Sequence, residues 1–173
     1  MNIITNKWAY YNELDPKAAA WIRELIKMKL ITDGEVDDRS ITEVTASDIS
    51  GFRRQHFFAG IAGWERALQL AGWGDDRPVC TASLPCQPFS VAGQQRGKAD
   101  ERHLLPYFFE LVSQCRFPTI FGEQVENAIS HGWADDLVNE LTALDYETAL
   151  SIIPAAASSA FHIRSRLWWV AKL

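Results

Sequence analysis

Cys86 stands between two prolines in the segment Leu84-Pro85-Cys86-Gln87-Pro88-Phe89-Ser90. A cysteine on a stiff loop is presented to a reactant instead of being packed, and its thiolate is a nucleophile whose pKa falls beside positive charge or a helix end. Cys80, in Val79-Cys80, sits among apolar neighbours and reads, with Cys115, as a packed thiol. Upstream, Phe57-Phe58-Ala59-Gly60-Ile61-Ala62-Gly63-Trp64 carries glycines between a predicted strand and a predicted helix. Such a turn lets a ligand approach the backbone, and the helix start beyond it offers free N–H groups and a positive dipole end. A methionine carboxylate or a phosphate would suit it; a glycine turn without a ligand is the bland alternative. Gly122-Glu123-Gln124-Val125 follows another predicted strand. A carboxylate there can be held protonated and donate to a ring nitrogen, or it can cap a helix. In His162-Ile163-Arg164-Ser165-Arg166-Leu167-Trp168-Trp169, alternation puts Arg164 and Arg166 on one face of an extended segment, where they would meet phosphate or an anionic substrate, or only water.

The elements that position these groups alternate in type. Strands are predicted over 8–11, 40–44, 56–59, 78–82, 119–122, 147–153 and 167–171. Asp15-Pro16 starts a helix that is expected to run to about residue 30, with Ala19, Ile22, Leu25, Ile26 and Leu30 on its apolar face and Asp33-Gly34 ending it. Residues 45–52 form a polar connection or short helix, and further helices are expected over 64–71, 104–115 and 133–143. This pattern indicates a mostly parallel three-layer α/β sheet, whose sites lie at the carboxyl ends of its strands. Every chemically loaded segment follows a strand, whereas Asp75 and Asp76 precede one and read as a solvated turn.

The length of 173 residues fits a single domain over 1–173. With 47% hydrophobic and 23% charged residues the chain is globular in composition. It has no transmembrane-length apolar run and no signal peptide. The three cysteines lack metal-like pairing, so no metal site is expected and a reducing compartment is favoured. A net charge of -5 is unlike that of a protein gripping nucleic acid through phosphates alone.

Taken in order, FFAGIAGW, LPCQPFS, GEQV and HIRSRLWWVA resemble the DNA (cytosine-5) methyltransferases, whose motifs read roughly FxGxGG, PCQxxS, ENV and RxRxxxV. Asp100-Glu101-Arg102-His103-Leu104 is similar to the family's D-x-R-x-x-L segment, and the likeness spans most of 55–171, closest to phage and prophage-type members. The resemblance implies a Rossmann-like S-adenosylmethionine-dependent fold with helices on both faces. It implies that Cys86 attacks C6 of a flipped-out cytosine in DNA while C5 takes the methyl group. Glu123 would hold the N3 edge, and Arg164 and Arg166 would orient the base and its phosphate. Pro85, Gln87 and Ser90 would shape the nucleophile's loop, Pro85 also touching the cofactor, and Phe58, Gly60 and Gly63 would line the cofactor pocket. A cytoplasmic location, in a bacterial host or from a phage gene, goes with this family.

Two departures shape the expectations. Only 64–84 separate the glycine motif from PCQ, too little for the family's ribose and adenine segments. Their likenesses lie upstream, in Tyr11-Asn12-Glu13-Leu14-Asp15-Pro16-Lys17-Ala18 and, loosely, Gly34-Glu35-Val36-Asp37-Asp38-Arg39-Ser40-Ile41. A permuted strand order is therefore expected, with cofactor segments in 1–54, Glu13 on the ribose hydroxyls and Asp38 or its neighbour Asp37 on the adenine. Second, the family's target-recognition domain has no counterpart in this chain, so a homodimer or a second subunit carrying recognition is expected. The alternatives are methylation of a free cytosine nucleotide, and a non-catalytic cofactor-binding subunit. Smaller departures are Ala62 for glycine, Ser83-Leu84 before PCQ, and Gln124 for asparagine.

Overall fold

The computed structural model describes residues 8–85 and 104–173. In chain order its elements are β1 (Ala9–Asn12), α1 (Pro16–Lys27), β2 (Gly34–Asp37), α2 (Ala46–Ile49), β3 (Arg54–Phe57), α3 (Gly63–Leu70), β4 (Val79–Ser83), α4 (Leu104–Cys115), β5 (Thr119–Val125), α5 (Trp133–Ala143), β6 (Glu147–Pro154) and β7 (Ser165–Lys172). The strands form one sheet in the order β2-β1-β3-β4-β5-β7-β6. The first five are parallel, and β7 lies antiparallel between β5 and β6. The expected α/β class is what folds, a Rossmann-like sheet with helices on both faces.

Every residue of β1 and β3 is buried, as befits central parallel strands covered on both sides. On one face Tyr10, Phe57, Cys80, Ile120 and Trp169 pack under Ile49 of α2, Phe108 and Leu111 of α4, and Leu137 and Leu141 of α5. On the other, Ala9, Tyr11, Ala59 and Ala62 pack with Ile22 of α1. Cys80 is the core thiol expected; burial pushes its pKa well up, and that of half-buried Cys115 up as well.

Helix α1 starts where Asp15 accepts the backbone N–H groups of Lys17 and Ala18, but it stops at Lys27, short of residue 30. Lys29 turns left-handed at φ 58°, and the N–H of Leu30 returns to the Leu25 carbonyl, so Leu30 is exposed and not on the core face. The expected strand over 40–44 is also corrected. The strand is Gly34–Asp37, and Ile41–Glu43 is a 3-10 turn capped by the Ser40 hydroxyl. Glycine begins β2 because a Cβ at Gly34 would run into the backbone of Ala9 on β1.

A polar knot lies inside the smaller face. Arg54 Nη1 meets Glu65 Oε1 at 2.5 Å, with both side chains sealed from solvent. His56 Nε2 lies 3.0 Å from Glu65 Oε2, its Nδ1 lies 2.8 Å from the Thr81 hydroxyl, and Thr32 donates to Glu65. Asp75 was expected to be merely solvated; it is exposed but accepts from Arg54 Nη2 at 2.7 Å. Burial pushes the Glu65 carboxyl up, yet the His56 and Thr32 hydrogen bonds and the Arg54 charge outweigh burial and hold it below the usual carboxylate range.

Removing one partner of a buried ion pair strands the other in low dielectric. Glu65→Ala is expected to lower unfolding free energy in urea by about 3–5 kcal/mol. Glu24→Ala, which breaks only the exposed pair with Lys27, should cost under about 0.5 kcal/mol, and equal losses would refute this account.

Candidate functional site

The carboxyl ends of the parallel strands gather most of the chemically loaded segments. β3 runs into the glycine turn, where Phe58, Gly60 and Ala62 take φ of 53°, 57° and 62°. Left-handed backbone is cheap for glycine and costs a non-glycine residue about 1–2 kcal/mol, so the turn has to be held. Ala59 N–H donates to the Asn12 carbonyl at 3.0 Å, Ala62 N–H to Ala59 at 2.9 Å, and Gly60 N–H to Glu13 Oε2 at 2.6 Å. The other Glu13 oxygen accepts from the Asp15 N–H at 2.8 Å. Glu13, at the end of β1, thus touches the glycine turn 47 residues away.

The two candidate adenine contacts differ. Asp37, at the end of β2, accepts from the Tyr10 hydroxyl at 2.6 Å, from Arg39 N–H at 3.0 Å and from the Arg39 guanidinium at 2.6 Å. Asp38 is exposed and pairs with Arg23 at 2.9 Å. Burial raises the Asp37 carboxyl, but the bonds from Arg39 and Tyr10 dominate and hold it at about 2.

A cavity of about 380 Å³ opens beside the glycine turn. Phe58, Ala59, Gly60, Ile61 and Gly63 form one side, Trp64 and Ala67 of α3 the next, and Ser83, Glu123 and Trp168 the wall from β4, β5 and β7. The Trp64 indole N–H donates to Ser83 Oγ at 3.0 Å, and the Trp168 ring stands edge-on to Trp64 with centroids 5.4 Å apart. Ser83 and Glu123 are register partners on β4 and β5. Arg166 Nε lies 2.7 Å from Glu123 Oε1. Next to Glu123 in sequence, buried Gln124 donates to the Leu84 carbonyl at 3.1 Å, tying β5 to the residue just past β4.

The structure therefore brings Phe58, Gly60, Gly63, Glu123 and Arg166 together with Glu13 beside them. Arg164 departs from the expectation. It precedes β7 with φ 34°, so no extended segment carries it on the Arg166 face. Pro85 is half-buried, while Cys86, Gln87 and Ser90 lie outside the described residues. The cavity-lining roles of Ser83 and Trp168 were missed. The period-2 pattern of β7 carries the signal for Trp168: Trp169 points into the core, so its neighbour points the other way. Among the described residues there is no cluster of metal-ligating groups, and no helix is long and apolar enough to cross a membrane.

Because Asp37 is more acidic folded than unfolded, its contribution to stability is complete above about pH 4 and fades as pH falls toward 2. Asp37→Asn should lower stability at pH 7 by about 1–2 kcal/mol and flatten the stability curve between those pH values. Parallel curves for the two proteins in acid melts would refute the assignment.

Residues 74–173 match the sequence model of the family described as C-5 cytosine-specific DNA methylase. The type II methyltransferase M.AplI of Arthrospira platensis is 33% identical over 95 residues, 54% of this chain and 28% of the relative. M.HhaI, a type II methyltransferase of Haemophilus parahaemolyticus, is 25% identical over 169 residues, covering 74% of this chain and 51% of the relative. Among solved structures, a Spodoptera frugiperda DNMT2 variant aligns with TM-score 0.65 at 13% identity, covering 94% of this chain and 41% of that one. A putative DNA modification methyltransferase from an E. coli prophage aligns with TM-score 0.61 at 17% identity, covering 95% of this chain and 39% of that one. The chain thus spans between 28% and 51% of the length of these proteins.

Proposed function

The chain belongs to the C-5 cytosine-specific DNA methylase family, and on that premise we propose that it transfers a methyl group from S-adenosylmethionine to C5 of cytosine in DNA, with Cys86 as nucleophile. The observation that carries this reading is the convergence of the glycine turn, Ser83 at the end of β4, three residues before Cys86, and Glu123 on one cavity.

The residues present fit the cofactor. A Cβ at Gly60 or Gly63 would meet nothing within 4 Å, so the turn leaves room for a ligand against its backbone. Glu13 uses one lone pair of each oxygen on backbone N–H groups and keeps capacity for the two ribose hydroxyls. Asp38 serves the adenine in this reading, because the Asp37 carboxylate is consumed by Tyr10 and Arg39. Phe58 and Pro85 complete the walls. When bound, S-adenosylmethionine supplies an electrophilic methyl group. The upstream position of β1 and β2 we read as a circular rearrangement, supported by their place in the sheet beside β3.

The rest is the work of the chain. A cytosine inside a duplex must leave the stack to be reached. The Cys86 thiolate adds to C6 and pushes electron density toward C5 and N3. Glu123, its Oε1 held by Arg166, would donate a proton to the N3 edge where that charge gathers. C5 would then take the methyl group, releasing S-adenosylhomocysteine; loss of the C5 proton to a base would re-form the C5–C6 double bond and free the Cys86 thiolate from C6. Gln87 and Ser90 shape the loop, and Arg164 serves a phosphate.

Transfer from labelled S-adenosylmethionine is expected on mixed-sequence duplex DNA in the presence of any recognition partner, and not on dCMP. Transfer to dCMP alone would favour the nucleotide enzyme; cofactor binding without transfer to either would favour a non-catalytic subunit. Cys86→Ser should abolish transfer and leave cofactor binding unchanged, whereas Glu13→Ala should weaken binding by about 1–3 kcal/mol.

The partner reading rests on one edge of the sheet. Trp169 is buried, but Trp168, Leu150, Ile152, Ile153 and Phe161 are exposed on or beside β6 and β7. A second copy or a subunit that reads the target sequence would cover them. Light scattering at micromolar concentration should give a mass above 19.5 kDa; a monomer that methylates duplex DNA unaided would overturn this.

A further inference from the structure

We infer that Ser83, with its hydroxyl oriented by the Trp64 indole, is a specificity-determining residue that receives the amino-acid end of the cofactor. The inference rests on the proposed cofactor and goes beyond it by assigning a side chain. The family's motif reads differently at this position, so the contact belongs to this chain.

The sheet order sets the direction of the ligand. Glu13 and Asp38 stand at the ends of β1 and β2, the glycine turn at the end of β3, and Ser83 at the end of β4. Neighbouring strands are about 4.8 Å apart. A ligand held by its ribose at Glu13 therefore crosses the glycine turn and presents its far end to β4, two spacings away. That far end carries an ammonium and a carboxylate.

The cavity wall there is mostly apolar, with Phe58, Ile61, Ala67 and Trp168 around Ser83. Glu123, the polar neighbour, is engaged by Arg166. A hydroxyl has one donor and two lone pairs. Trp64 donates to the Ser83 oxygen at 3.0 Å, which fixes the side chain and directs its remaining proton and lone pair away from the indole. The proton suits the carboxylate, and the remaining lone pair suits the ammonium.

The test compares two thioethers that differ only in the amino-acid end, S-adenosylhomocysteine and 5′-methylthioadenosine, by calorimetry on the full chain. A hydrogen bond to a charged group predicts that Ser83→Ala weakens S-adenosylhomocysteine by about tenfold or more, with methylthioadenosine within about twofold. Ser83→Thr, which keeps the hydroxyl, should restore most of the affinity. Trp64→Phe, which keeps a ring and loses the N–H, should show the same selectivity with a smaller loss. Equal weakening of both ligands, or no change in either, overturns the role of Ser83 while the cofactor reading stands. If the unaltered chain binds neither ligand, the cofactor reading fails and this inference with it. Thermal melts of each variant identify any loss that comes from unfolding.

Discussion

The carboxylate of Glu65 is the point on which the geometry of the site turns. It is wholly buried, and a buried charge is tolerated only when its hydrogen-bonding capacity is met. Arg54 neutralises it from β3, His56 binds it from the same strand, and Thr32 reaches it from the connection between α1 and β2. Tyr11 of β1 stacks on the His56 ring at 5.0 Å, closing the knot on a second strand. Glu65 lies two residues into α3, so fixing it fixes the first turn of that helix. The glycine turn is then pinned at both ends, by Arg54 and His56 before it and by Glu65 after it. That is how Phe58 and Ala62 are kept in left-handed backbone that neither would choose alone. Trp64, one residue from Glu65, inherits its place over Ser83 from the same constraint.

The turn is pinned a third time from a strand that precedes it in the chain. Glu13 joins the start of α1 to the turn after β3, using one oxygen for each. A parallel sheet requires that neighbouring strands be close and their crossovers right-handed, and sets no rule on which strand is synthesised first. β1 and β2 can therefore precede the glycine turn in sequence and still stand beside it in space. Their polar ends reach the place where a dinucleotide-like ligand would meet a doubly wound sheet.

Much of this was legible in the sequence because it depended on local chemistry. The boundaries of α4 and α5 follow from apolar periodicity, the start of α1 from Asp15-Pro16, and the glycine turn from its composition. Glu13 was singled out by its likeness to the family's ribose segment, and Glu123 by its predicted place after a strand, although the strand runs on to Val125 and includes it. The failures are equally physical. The strand expected near residue 40 lost to a serine cap and to the close approach that only Gly34 permits. Arg164 was placed by alternation, a rule that holds inside a strand and fails one residue before it. The Glu65 knot was invisible because its partners are 9 to 33 residues away and nothing local marks a glutamate on a helix as buried.

The two edges of the sheet differ in a way that bears on assembly. β2 is four residues long and ends on acids, which discourages another strand from pairing with it. β6 is eight residues long, and its exposed side chains include Leu150, Ile152 and Ile153. On the adjoining β7, Trp168 faces the cavity side while Trp169 fills the core. Exposed apolar surface is worth about 25 cal/mol per Å² when covered, so the β6 edge gains from a partner and the β2 edge does not. The apolar edge is also the nearer one to the Glu123–Arg166 pair, at the proposed base pocket. Whatever covers it stands beside the proposed base pocket, so coverage of the edge and recognition of the substrate would be coupled through the same end of the sheet.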